Sequence, residues 1–284
     1  MFSNMLIAAV LLAPMEPQPA SATRPIALGT SHSIASQPLG EARTINVVVP
    51  ASYAREPQRR YPVLYVIDGG VEQDLLHVAG TAQLGAIWGR SQDAIVVGVE
   101  TKDRRRELVG ATRDAKLLKQ YPTAGSSAAF RAFIRTEVKP LIARGYRVTG
   151  RDAVIGESLA GLFIVETWLR EPRLFGSYAA IDPSLWWDEE AVSRTAAGSV
   201  GAAQAQRPLY IAAAREQLDK PAALDRVAAA AAGKAQRWCL NPRRDLFHAT
   251  IYHTLTPEAL QFLLPPTEAP PAEFGFEVRC SRKS

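Results

Sequence analysis

Ten residues constrain this chain more than any others. Asp152-Ala153-Val154-Ile155-Gly156-Glu157-Ser158-Leu159-Ala160-Gly161 reads as a short apolar strand, a tight turn that carries a serine, and the start of a helix. The helix continues as Leu162-Phe163-Ile164-Val165-Glu166-Thr167-Trp168-Leu169. A serine on so sharp a strand-to-helix turn needs small neighbours, because the backbone there presses against the adjacent strand and helix. Gly156 and Ala160 supply them. The turn also fixes the surrounding architecture. A buried strand that feeds directly into a helix is the unit of a parallel sheet, and it requires further strands on either side.

The rest of the chain provides them. Residues 30–50 alternate loosely and read as a β-hairpin arm, while residues 62–68 and 94–99 are short continuous apolar runs. Runs of that kind suit parallel strands covered on both faces. In residues 126–143, Phe130, Phe133, Ile134, Val138, Leu141 and Ile142 recur at helical spacing, with Ser126 or Ser127 as N-cap. Strands are expected at 177–181, at 208–213 and near 237–240. An alanine-rich helix is expected from about Lys220 to Gly233, and a final helix from about Pro257 to Leu264. The pattern predicts an α/β fold with a mostly parallel central sheet and helices on both faces. No repeat or linker divides residues 23–284, which read as one domain. The Pro-rich stretch 265–271 opens a C-terminal tail over 265–284.

Residues 1–22 are set apart. Leu6 to Ala13 is a short apolar core, followed by a Pro-rich stretch that ends Ala20-Ser21-Ala22, the form of a secretory signal peptide without a basic n-region. Cleavage is expected after Ala22, with export to the periplasm. No run approaches the ~20 apolar residues of a membrane span. In an exported chain, Cys239 and Cys280 become a disulfide pair that ties the tail to the segment before His248. The net charge of +5 is scattered apart from Arg104-Arg105-Arg106. No basic stripe interleaved with aromatics is present, so nucleic acid is not an expected partner. The balance supports only a mild preference for anionic partners.

A serine presented in this way is a nucleophile elbow, the feature of α/β hydrolases in which Oγ stands beside the first amides of a helix. The hydroxyl needs a base within reach and an acid to orient that base. In this fold the chain order is serine, acid, histidine. Only His248 and His253 follow Ser158. His248 is favoured because it lies nearer the last strand. The acid is sought after the strand that ends near Ala213, where Glu216 is preferred over Asp219. Asp225 lies further inside the helix, and Asp182, one strand earlier, is an outside candidate. The backbone N–H of Leu159 and that of Gly70, in Asp68-Gly69-Gly70, are the expected oxyanion donors.

Several of these segments together resemble the esterase D-type esterases. They are Leu64-Tyr65-Val66-Ile67-Asp68-Gly69, Asp103-Arg104-Arg105-Arg106-Glu107-Leu108, the Ser158 segment, and Pro183-Ser184-Leu185-Trp186-Trp187. That group includes enterochelin and salmochelin (ferric-siderophore) esterases, with mycolyltransferases as more distant relatives. The resemblance runs from about Ser33 to Leu264. It implies an α/β-hydrolase fold, a serine nucleophile at Ser158 and a base at His248, with Glu216 where the family commonly places a carboxylate. It implies carboxylic ester hydrolysis through an acyl-enzyme, with no cofactor and no catalytic metal. The substrate would be a small-molecule ester, an anionic or ferric siderophore among the options, and any iron would belong to it. Arg104 would contact an anionic substrate by charge-assisted hydrogen bonds, and Trp186 would line its pocket with Trp187. Two residues depart from the family's pattern. Ala160 replaces the usual glycine, and Asp182 stands where siderophore-type relatives often carry serine. An acyltransferase would use the same residues, and a binding protein on the same fold would dispense with them.

Overall fold

The computed structural model describes residues 23–235 and 237–281; the expected signal peptide lies outside them. Eight strands form one sheet in the order β1-β2-β4-β3-β5-β6-β7-β8. The hairpin arm is β1 (Thr30–Ser36) and β2 (Glu41–Val48), paired antiparallel, with β2 antiparallel to β4 (Ile95–Val99). From β4 onward every neighbour is parallel: β3 (Tyr61–Ile67), β5 (Val148–Glu157), β6 (Ser177–Ile181), β7 (Leu209–Ala214) and β8 (Trp238–Arg243).

β3, β4, β6 and β7 are buried along their whole length, because helices cover both faces of the sheet. This divides the core in two. One layer includes Tyr65, Val97, Phe130, Phe163 and Trp168. The other includes Leu64, Val96, Ile155, Tyr210 and Tyr252. The helix expected over 126–143 is continuous from Ser127 to Gly145, with a π-helical turn at Ile134–Val138. Ser126 makes no side-chain cap, and Ser127 donates instead to the buried Glu166 at 2.7 Å.

The last helix differs most from expectation. It spans His248–Leu263 and carries Pro257 inside it, whereas the sequence signal placed its start at that proline. Ile251, Tyr252, Leu255, Ala259 and Leu260 are all buried, so apolar packing on the sheet extends two turns ahead of Pro257. Proline as a helix-start signal is a local preference, and here tertiary packing overrides it. His248 therefore sits on the first turn of a long helix and not in a free loop.

Two further features position the ends of the strands. Arg43 of β2 and Glu107 form a fully buried pair at 2.6 Å, which fixes the short helix Arg104–Leu108 against the hairpin arm. At the opposite edge, the disulfide Cys239–Cys280 pins the tail to β8. The N–H of Ser281 donates to the carbonyl of Leu240 at 2.7 Å, so the tail runs along the free edge of that strand.

Candidate active site

Ser158 has φ 61° and ψ −118°, a left-handed conformation that costs a non-glycine residue free energy and persists only when its surroundings enforce it. They do. Its N–H donates to the carbonyl of Ile181 at 3.0 Å, and its carbonyl accepts from Ser184 at 2.9 Å and from Leu162 at 2.9 Å. The turn is thus clamped between the ends of β5 and β6 and the start of the helix Leu159–Arg170. A Cβ on Gly156 would lie 2.7 Å from Cβ of Ala160, and one on Gly161 would lie 3.0 Å from the carbonyl of Ile181. Alanine fits at 160 because Gly156, the residue facing its Cβ, carries no side chain. The Oγ of Ser158 lies 3.2 Å from that of Ser184.

His248 and Ser158 line one cavity of about 650 Å³, together with Asp182, Trp186 and Glu216. The carboxylate against the imidazole is that of Asp182. Its Oδ2 is 2.6 Å from Nδ1 of His248, and its Oδ1 accepts the N–H of Ala214 at 2.8 Å. Asp182 follows β6, has φ 41°, and is 5 % exposed. Its hydrogen bond raises the His248 pKa above the ordinary value, against the opposing effect of burial.

Glu216, expected to hold the ring, does something else. Its Oε2 accepts the backbone N–H of His248 at 3.1 Å, capping the first turn of the helix. The reason is register: Ile181 pairs with Ala212, so β6 and β7 end side by side and both present a carboxylate toward His248. Glu216 reaches the backbone and Asp182 the side chain. Asp219 lines the same cavity and is bonded to Arg244 at 2.9 Å, not to His248. His253 is exposed and stacks edge-on with His77 at 5.0 Å.

On the other side of Ser158 lies a second cavity of about 300 Å³, lined by Asp68, Gln73, Asp74, Arg104, Glu157 and His248. Arg104 reaches it through Asp68, its Nε bonding Oδ2 at 2.8 Å. Arg105 and Arg106 do not join it. Arg105 stacks on Tyr121 with 4.0 Å to the ring centroid, and Arg106 binds Glu41 and Glu107. The N–H of Gly70 donates to Oε1 of Gln73 at 2.9 Å, so this expected oxyanion donor is held by a side chain. Gln73 in turn donates to the carbonyl of Thr101 at 2.9 Å, and Thr101 donates to Asp68. Gly69 packs its backbone against Gly98, where a Cβ would lie 2.2 Å from Cα. Trp186 is 60 % exposed at the rim of the wider cavity, whereas Trp187 is buried and packs against Tyr121.

The chain is similar to known proteins. The family model described as "Putative esterase" covers residues 36–233. Ferri-bacillibactin esterase BesA of Bacillus subtilis is 30% identical over 169 residues, 52% of this chain and 56% of the relative. Apo-salmochelin esterase of Escherichia coli is 29% identical over 141 residues, 45% of this chain and 43% of the relative. The chain thus spans about half the length of the curated relatives it matches. Among solved structures, an IroE-like serine hydrolase from Shewanella oneidensis superposes with a TM-score of 0.71 at 23% identity, covering 82% of this chain and 79% of the other. Siderophore hydrolase EstB from Aspergillus nidulans gives a TM-score of 0.71 at 17% identity over 89% of this chain and 99% of the other. Both share the α/β-hydrolase fold seen here. With the family model spanning the elbow, the Asp182 turn and all strands from β3 to β7, this chain belongs to the putative esterase family.

Proposed function

We propose that the chain is a serine carboxylesterase that works through an acyl-enzyme, with Ser158, His248 and Asp182 as its triad. The observation that carries this reading is the 2.6 Å contact between Asp182 and Nδ1 of His248 in the cavity that also contains the Ser158 elbow. With Nδ1 bonded to the carboxylate, Nε2 is left as the basic nitrogen. It takes the Ser158 proton as Oγ attacks the ester carbonyl, then delivers it to the leaving alcohol. Water repeats the sequence on the acyl-enzyme and restores the serine. The N–H of Leu159, at the start of a 12-residue helix, faces the developing oxyanion with the helix dipole behind it. The N–H of Gly70 is the second donor, and an ester oxygen takes the place that Oε1 of Gln73 occupies.

The relatives' names make siderophore esters the first class to try. We further read the chain as an exported protein, a reading supported by the apolar N-terminal segment and the Cys239–Cys280 disulfide.

The test is turnover of p-nitrophenyl acetate and of a ferric siderophore ester, with covalent labelling by a fluorophosphonate. Ser158→Ala and His248→Ala are expected to lose on the order of 10³-fold or more in kcat. Label should map to Ser158. Retained turnover in folded Ser158→Ala protein overturns the reading.

A further inference from the structure

The Oγ of Ser158 has one hydrogen-bond partner among the described residues, the Oγ of Ser184 at 3.2 Å, and that hydroxyl has no other partner there. Ser184 is 4 % exposed and lines the wider cavity beside Ser158 and His248. Its main chain is committed on both sides. The N–H donates to the carbonyl of Ser158 at 2.9 Å, and the carbonyl accepts the N–H of Trp187 at 3.1 Å. The turn that carries it is fixed twice more. The N–H of Asp182 donates to the carbonyl of Ala212 at 2.8 Å, and the carbonyl of Pro183 accepts from Nε2 of Gln217 at 2.6 Å. The Ser184 hydroxyl is therefore placed by bonds that do not involve its own oxygen, and its removal leaves the turn standing.

Each of the two hydroxyls has a single proton. That of Ser158 has to face Nε2 of His248 for transfer. The proton between the serines is then that of Ser184, which donates to Ser158. Ser184 follows β6 and Gly70 follows β3, on opposite sides of β5. They address different oxygens: Gly70 faces the carbonyl oxygen of an ester, and Ser184 faces the attacking Oγ. At 3.2 Å the bond is long for two neutral hydroxyls, which usually sit about 2.5–3.0 Å apart. Such a bond tightens and strengthens as its acceptor gains negative charge. Its gain is larger in the transition state than in the free protein, which is the condition for it to speed a reaction.

We propose that Ser184 is a fourth catalytic group, whose hydroxyl donates to Ser158 Oγ and stabilises the charge that develops on it. This rests on the esterase reading above and adds a residue to its triad. In acylation the bond from Oγ to the ester carbon forms while the Ser158 proton passes to Nε2 of His248. In deacylation that bond breaks while Nε2 returns a proton to Oγ. The oxygen is partly anionic in both steps, and Ser184 keeps its own proton throughout.

The experiment first compares kcat/KM for p-nitrophenyl acetate in wild-type and Ser184→Ala protein, with urea unfolding of each. Loss of a hydrogen bond to a charged oxygen predicts a fall of roughly 10–100-fold. The urea midpoint should stay close to that of the wild type, because the main-chain bonds survive.

A second readout follows charge on the nucleophile without any ester. Both native cysteines are joined in the disulfide, so Ser158→Cys introduces the chain's one free thiol. The ultraviolet absorbance of its thiolate is titrated with Ser184 present and in Ser158→Cys/Ser184→Ala. Removing the hydroxyl should lower the thiolate fraction at neutral pH by about threefold or more, since a donor favours the charged form. A serine with a purely structural role leaves that fraction unchanged. An unaltered kcat/KM in Ser184→Ala, or an unaltered thiolate titration, overturns the proposal. If wild-type protein turns over no ester, the esterase reading falls and the titration alone decides: a lowered fraction supports the donor role of Ser184, and an equal one overturns it.

Discussion

Asp182 holds two elements with one carboxylate, since Oδ1 fixes the end of β7 through Ala214 and Oδ2 fixes His248. Asp182→Asn is expected to lower kcat by about 10²–10⁴-fold, because the amide loses the charge that stabilises the imidazolium. Glu216→Gln removes only a charge from a backbone hydrogen bond and should cost about tenfold or less. Steady-state kinetics on the two variants distinguish the acids, and equal losses would reverse the assignment. The pH profile of kcat/KM should rise through a pKa above that of free histidine, because Asp182 raises His248 and the base must be neutral. Glu157 gives the opposite linkage to a salt-bridged acid. Its pKa rises from 4.5 to about 7 on folding, so the neutral form is the stabilising one, and stability declines as pH rises from about 5 through 7. Glu157→Gln should therefore raise stability at pH 8 by on the order of 1–3 kcal/mol, measured by urea unfolding, and change it little at pH 4. At this scale the sequence shows the serine and a histidine, because the turn pattern and the chain order are local facts. It does not show which carboxylate meets the ring. That depends on where β6 and β7 end relative to each other, a register that no local pattern encodes.

The strands and the serine helix are legible because their signals agree: continuous apolar runs, a tight turn and helical spacing all point to one arrangement. The glycines between those elements carry the tightest constraint. Gly161 lies where a Cβ would meet the Ile181 carbonyl and Cα of Pro183, both at 3.0 Å. Gly161→Ala has to push the serine helix off the end of β6, and overpacking of that kind costs about 1–3 kcal/mol. Loss of activity should accompany it, because the displaced turn carries Ser158. An unshifted denaturation midpoint would show that the helix moves freely. The last helix is the element read least well. Its first two turns bury Ile251, Tyr252 and Leu255 on a sheet whose position the sequence does not state, and Pro257 offers a competing start signal. What places His248 is therefore the packing of the helix that runs about four turns beyond it.

Across the whole molecule, the sheet ends in the hairpin arm at one edge and carries the tail against β8 at the other. The Cys239–Cys280 link spans 41 residues, and the chain-entropy cost it removes from the unfolded state is about 4 kcal/mol at most. Reduction of the protein should lower its unfolding free energy by about 2–4 kcal/mol. A reduced protein of unchanged stability would leave the tail held by its hydrogen bonds alone.

The tail does more than stabilise. β8 is the last strand of a parallel sheet, and an uncovered last strand offers its amides and carbonyls to any other chain. Ser281 donates to one of those carbonyls, and the disulfide keeps the tail there. Solubility is thereby tied to redox state: in an oxidising compartment the exposed edge is sealed as soon as the thiols meet. A chain retained among reducing thiols would fold with that edge open, and self-association rather than loss of catalysis would be its first failure.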